Sequence, residues 1–266
     1  MTIRNEIVSE EQNAFLKKKK TQLLWIRLNR ILFLAVFLFL WQLSANNEWI
    51  DSFFFSSPKD ILLSFLSGIL DKTLFIHIGI TLSETIISFI IIILLSLVAA
   101  SILWFYNSLG NFFEPFLVIL NSLPKSALAP LIIVWFGTGT KTIILCGISV
   151  AIFGAILTLY HYFAEIDEEK IKLILTLGGN RMDAYKKIIL PGSLPQLLSL
   201  SKVNIGLCLV GVIIGEFLAG KRGLGYLIIY SSQVFKLQNV ILSITILCVI
   251  AMGLYQIIQF LEKRLV

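Results

Sequence analysis

The sequence predicts an all-α, polytopic membrane protein with six transmembrane helices. Three observations carry this. Of the 266 residues, 57% are hydrophobic and only 14% charged, whereas a soluble domain carries about 25% charged residues. The mean hydropathy of +0.89 and the 20 phenylalanines represent more apolar surface than one core of this length can hide, so lipid must act as solvent for much of the chain. Finally, apolar runs near the roughly 20 residues that a spanning helix needs recur six times, each bounded by charge or turn residues.

The first run, 31–45, is short and follows Lys17, Lys18, Lys19, Lys20, Arg27 and Arg30. Arg27 and Arg30 can extend it by reaching back to the interface along their apolar stems. Residues 1–30 are read as a basic cytoplasmic tail and 31–266 as the membrane domain. Ser44-Ala45-Asn46-Asn47 lacks a small-x-small cleavage pattern, so this run is expected to be an uncleaved helix. The second run, 86–105, is unbroken. The third, 115–136, is the least uniform, because Asn121, Ser122, Pro124, Lys125 and Pro130 fall inside it. The fourth is 142–162, the fifth 203–219 and the sixth 240–261. Between the first two runs, segment 46–85 reads as an interfacial helix plus the start of the second span.

Charge sets the orientation. Of the 22 Lys and Arg residues, seven precede residue 31, six lie in 163–202 and two in the C-terminal tail, against six in the alternate loops. Both termini are therefore expected in the cytoplasm, with 163–202 as a cytoplasmic loop. Orientation and anionic lipid account for the basic termini, so no nucleic-acid partner is implied. Cys146, Cys208 and Cys248 lie in apolar runs without ligand spacing, and His77 and His161 do not cluster. No metal, cofactor or catalytic centre is expected; the cysteines read as small core or helix-packing residues.

The loop carries the most specific pattern. Ile171, Ile174, Leu175 and Leu177 recur at helical spacing. Gly178-Gly179-Asn180 marks a stop, a second short helix is expected from about residue 181 to 189, and Pro191 and Pro195 are expected to break the chain before it re-enters the membrane. A helix, turn and helix on one face make a docking surface. The segment EEKIKLILTLGGNRMDAYKKIILPGSLPQLL resembles the hallmark loop of permease subunits of binding-protein-dependent ABC importers, with Gly178, Ile188, Leu190 and Pro191 at the marked positions. Lys172, Leu173 and Ile174 stand where that family has Glu-Ala-Ala, and Glu168 and Glu169, about one turn earlier, are candidates to replace the missing acid.

The similarity runs from about residue 57 to the C-terminus. LNSLPKSALAPLIIVWFGTG (120–139) and GEFLAGKRGLGYLI (215–228) are similar to stretches of the nitrate/sulfonate/taurine branch. The resemblance implies a type I ABC importer permease (MetI-like) fold in the plasma or inner membrane. It also implies a homodimer over two cytoplasmic ABC ATPase subunits, an extracytoplasmic substrate-binding protein and a small, anionic cargo. Glu168, Glu169, Lys172, Gly178, Gly179, Ile188, Leu190 and Pro191 would then couple to the ATPase. Relatives of this branch also carry thiamine precursors, riboflavin and aromatic carboxylates; an ion-coupled secondary transporter is the reading from another class, although no inverted repeat is visible.

Ionisable groups within a span mark cavities or paths, because each costs about 2.5–3.5 kcal/mol to insert. Lys125, near the middle of the third run, and Glu216, in the outer half of the fifth, are expected to line the path, at depths that would let them pair; the other reading is a charge pair that only holds two helices together. Pro124 and Pro130 remove backbone donors from the carbonyls of Leu120 and Ser126. With Asn121, Ser122 and Ser126, they complete the candidate pathway. Trp104, Trp135 and Phe136 read as interfacial aromatic residues. Gly215 to Lys221 imitates a phosphate-binding loop, but Arg222 occupies the Ser/Thr position and no strand precedes it. The chain is therefore not expected to hydrolyse ATP.

Overall fold

A computed structural model describes residues 10–265, and among these every regular element is helical. The chain divides into two compact units, Met1–Leu63 and Ser64–Val266. In the first, α1 (Glu10–Asn46) has 37 residues and is about 56 Å long, well beyond the ~30 Å hydrocarbon layer. The run 31–45 is thus the C-terminal part of a helix that begins inside the basic segment. Residues 1–9 of the expected tail lie outside the described residues. After α2 (Ser52–Phe55), α3 (Pro58–Leu70) starts with Pro58 at its first position, where no backbone donor is needed. Ser57 caps it by accepting from Asp60 N (3.1 Å) and donating to Asp60 Oδ2 (2.7 Å), a reciprocal cap of the Ser-x-x-acid kind.

The second unit is built on three long helices: α4 (Thr73–Phe105), α7 (Thr140–Glu165) and α11 (Leu194–Ala219). α4 starts 13 residues before the expected second span and draws His77 and Glu84 into the bundle. α7 and α11 cross closely because Gly211 and Gly215, four apart, face α7. A Cβ at Gly211 would stand 2.8 Å from the Cys146 carbonyl oxygen and from Gly147 Cα. Small residues at this spacing let membrane helices meet backbone to backbone. Ile92, Ala151, Ala155 and Cys208 fill the centre. Cys146 and Cys208 are buried as expected, whereas Cys248 is exposed on α13 (Leu237–Leu265).

The expected third span is not one helix. α5 (Asn107–Ser122) and α6 (Lys125–Phe136) meet at 95° across Leu123 and Pro124. Their neighbours on α7 nevertheless progress steadily. Gly110 abuts Tyr160, Glu114 bonds His161, Asn121 abuts Gly154 and Ile133 packs with Ile143. Those 17 residues of α7 amount to about 26 Å, so the bent pair traverses the bundle as a broken span and does not return to the side it entered. Counted this way the helices supply six spans by length and composition.

The loop is shorter than 163–202, since α7 extends to Glu165 and α11 begins at Leu194. Between them lie α8 (Glu168–Thr176), α9 (Arg181–Ala184), a π-helical turn (Tyr185–Ile189) and α10 (Leu190–Gly192). Asp167 caps α8 through Glu169 N (2.9 Å), and Asn180 and Asp183 form a reciprocal cap on α9 (both 2.9 Å). Gly178 has φ +85°, a left-handed conformation that glycine adopts without strain. Pro191 and Pro195 do not break the chain. Both sit in first-turn positions of α10 and α11, where a missing N–H costs nothing.

Candidate translocation path and coupling surface

Pro124 has no N–H for the Leu120 carbonyl, and the residue before a proline avoids helical geometry. Leu123 is accordingly extended, with ψ 143°, and the helix stops. Lys125 turns back over the break, and its Nζ donates to the Asn121 carbonyl (2.5 Å) and to Asn121 Oδ1 (3.3 Å). It thereby places a cation on the carbonyl end of α5, where the helix dipole favours it. Ala127 N donates to the Pro124 carbonyl (3.0 Å), and no side chain caps α6, so the N–H groups of Lys125 and Ser126 open an interrupted helix, a geometry tolerated within a membrane only against protein or a cavity. Asn121 and Lys125 are half-buried, while Ser122, Pro124, Ser126 and Pro130 are exposed. Ser122 donates to the Val118 carbonyl (2.9 Å). Pro130 lies inside α6 without interrupting it.

Glu216 is 1% exposed and does not pair with Lys125, which corrects the expected partnership. Its Oε1 accepts from Thr81 Oγ1 (2.6 Å) and its Oε2 from Gly225 N (2.5 Å). Thr81 Oγ1 in turn accepts from Leu224 N (2.8 Å), and Gly223 N donates to His77 Nδ1 (3.0 Å). The turn before α12 (Leu224–Gln233) is thus wrapped around one carboxylate. Gly223 has φ +110°, and a Cβ there would collide with the Glu216 carboxyl, so glycine is required twice over.

Glu84, also 1% exposed, lies beside Glu216 and Thr140, and its Oε2 is buried without a hydrogen-bond partner. Sequence reasoning missed Glu84 because the second span was started at residue 86. The apolar stretch 74–82, broken only by His77 and small residues, was the available signal. Trp104 also departs from expectation. At 7% exposure it is a core residue, while Trp135 (70%) and Phe136 (62%) are exposed.

At the other end of the bundle, Glu168 and Lys172 form an exposed pair one turn apart on α8 (3.3 Å), with Glu169 beside them and exposed. Gly178 N and Gly179 N close the C-terminus of α8 onto Leu175 O (3.1 Å) and Ile174 O (2.9 Å). Leu173, Leu177 and Met182 are exposed around this turn. Ile188, Leu190 and Pro191 carry the chain through the π-helical turn back to α11. The Gly215 to Lys221 stretch ends a membrane helix at Ala219, with Gly220 as its cap, so it has neither the strand nor the loop of a phosphate site.

A polytopic helical chain with a broken, charged span at one level and a capped helix-turn-helix loop at one end has the organisation of a transport permease. The model of the binding-protein-dependent transport system inner membrane component family matches residues 92–265, and the chain belongs to that family. Members are transport subunits of ABC importers, and in such systems a separate partner ATPase hydrolyses ATP. The chain is 26% identical over 239 residues to a probable ABC transporter permease protein of Haemophilus influenzae, covering 90% of this chain and 97% of that one. It is 25% identical over 238 residues to the taurine transport system permease protein of Escherichia coli, covering 87% and 86% respectively. Among solved structures, the inward-facing MetNI methionine ABC transporter aligns with a TM-score of 0.66 at 16% identity, over 74% of this chain and 98% of that one. The fold is that of a type I ABC importer permease.

Proposed function

We infer that the protein, a multi-pass permease of an ABC importer, works in the inner membrane with an ATPase and a binding protein. We propose that two copies pair over two ATPase subunits, with both termini and the α8–α10 loop in the cytoplasm. The extracytoplasmic binding protein docks at the opposite end. ATPase closure draws the two loops together and turns the path outward, and hydrolysis resets it, a two-state exchange biased by the partner. Glu168, Glu169, Lys172, Gly178, Gly179, Ile188, Leu190 and Pro191 form or frame the docking surface, with Glu168 and Glu169 standing in for the family's acid.

We further propose a small anionic cargo of the nitrate, sulfonate or taurine kind. The observation that carries this reading is the break at Pro124, which sets Lys125 and the uncapped N-terminus of α6 together in the third span. A half-helix N-terminus within a membrane attracts anions through its dipole and free N–H groups. The test is calorimetry on the cognate binding protein with nitrate, taurine, an alkanesulfonate, riboflavin and formylaminopyrimidine. Binding of one of the anions is expected, and binding of only riboflavin or the pyrimidine would overturn the anion assignment. Co-purification of an equimolar ATPase tests the coupling surface.

A further inference from the structure

The loop must pull on something, and the structure gives it a specific grip. Arg181, the first residue of α9, sends Nη2 to the Trp104 carbonyl (2.7 Å) and to Asn107 Oδ1 (3.0 Å). Its guanidinium also lies 5.0 Å from the centre of the Trp104 ring. The Trp104 carbonyl belongs to the last turn of α4, where it has no partner within the helix, and Asn107 opens α5. One planar, permanently charged group therefore caps one span and holds the start of the next.

Four residues on, the π-helical turn aims Tyr185 at the same place. Its hydroxyl is 2.5 Å from Ser101 Oγ, and its ring packs on Trp104, Phe105 and Phe163. Single π turns commonly serve such a re-aiming of side chains. By contrast, a cavity of about 490 Å³ separates much of α8 from the span ends, with Trp104, Asn107, Tyr160, Lys172 and Arg181 on its wall. α8 keeps Ile171 as an apolar foothold.

The first half of α5, up to the internal Pro115, is held against α7. Glu114 bonds His161 (2.9 Å), and Gly110 lies so close to the Tyr160 hydroxyl that no Cβ fits there. Beyond Ser122 the chain turns at the 95° joint.

We propose that Arg181 is a positioning residue that clamps the coupling loop to the α4–α5 turn, so that loop displacement is delivered through α5 to the Pro124 joint. Tyr185 and Asn107 complete the clamp. This rests on the coupling role and the paired assembly proposed above, and it adds the route by which motion reaches the broken span.

The test uses the full chain assembled with its ATPase. The exposed Cys248 is replaced by Ala, and a single spin label is placed at Thr176 on the loop or at Ile119 on α5, both exposed. Distances between equivalent labels of the two copies are measured without nucleotide and with ATP plus vanadate. In the parent both pairs shift on trapping. In Arg181→Ala the Thr176 pair should shift as before, while the Ile119 shift falls by at least half. Arg181→Lys should recover part of it, because one ammonium reaches one of the two acceptors. Asn107→Ala, which leaves Trp104 capped, should give a smaller loss in the same direction, and it carries the test if Arg181→Ala does not assemble. An Ile119 shift equal to the parent's in both Arg181→Ala and Asn107→Ala overturns the clamp. A parent whose Thr176 pair is immobile, or gives no distance, overturns the coupling or pairing reading instead.

Discussion

Replacing Glu216 by Ala removes the acceptor around which the turn at residues 223–225 is wound. Gly225 N–H and the Thr81 hydroxyl each lose a carboxylate at 2.5 and 2.6 Å, and both are sealed from water. Thr81 Oγ1 still accepts from Leu224 N, so two donors are left unsatisfied. At about 1–3 kcal/mol for each buried donor without a partner, the loss is about 2–6 kcal/mol. With about 2–4 °C of melting midpoint per kcal/mol for a chain of this size, the apparent midpoint should fall by at least about 4 °C. Glu216→Gln is the informative companion. Its amide oxygen still accepts from Thr81, but its NH₂ then faces the Gly225 N–H, donor against donor, so its midpoint should lie between those of Ala and the parent. The assay is thermal scanning fluorimetry of the purified chain in one detergent. An Ala variant within about 1 °C of the parent, or a Gln variant worse than Ala, would refute the wrapped-turn account.

Gly178→Pro should abolish stimulation of the reconstituted ATPase by the binding protein while membrane insertion persists. Proline cannot adopt φ +85° and removes the N–H that bonds Leu175 O; normal stimulation would remove Gly178 from the coupling surface. Gly211→Ala should destabilise by about 1–3 kcal/mol, since α7 and α11 must part to admit the methyl, whereas Gly253→Ala, with nothing within 4 Å of its Cβ, should leave the midpoint unchanged or raise it. Lys125→Ala and Glu216→Ala should lower transport independently, with losses that add in free energy in the double variant, because the two residues bond different partners. Strong non-additivity at matched protein levels would restore the direct pairing.

Much of the architecture was readable from hydropathy alone. Five of the six apolar runs lie within a single helix each and the third is split at Pro124, while the helix, glycine and helix of the loop fall where periodicity and Gly178 put them. Errors arose where polarity was taken as a boundary. Glu84 and His77 fall in the segment expected outside, yet α4 passes through both: His77 bonds the turn at 223–225, and Glu84 is buried in the bundle. Pro191 and Pro195 were read as breaks, yet each falls where the helix has no donor to lose. The site was partly legible. Asn121, Pro124 and Lys125 were recognisable as anomalies in an apolar run, but nothing local announced that the break is 95°, or that Lys125 folds back on Asn121 while Glu216 serves the turn at 223–225.

By itself the sequence determined that the protein lives in a membrane, that it carries apolar runs for up to six spans, and that its loop resembles an importer's coupling loop. These properties are set by transfer from water and by local backbone preference, which neighbouring residues record. The tertiary structure decided which polar group answers which. Glu216 meets Thr81 across 135 positions, and Arg181 meets Trp104 across 77. A buried donor or charge must find an acceptor wherever the packed helices bring one, and that choice belongs to three-dimensional packing.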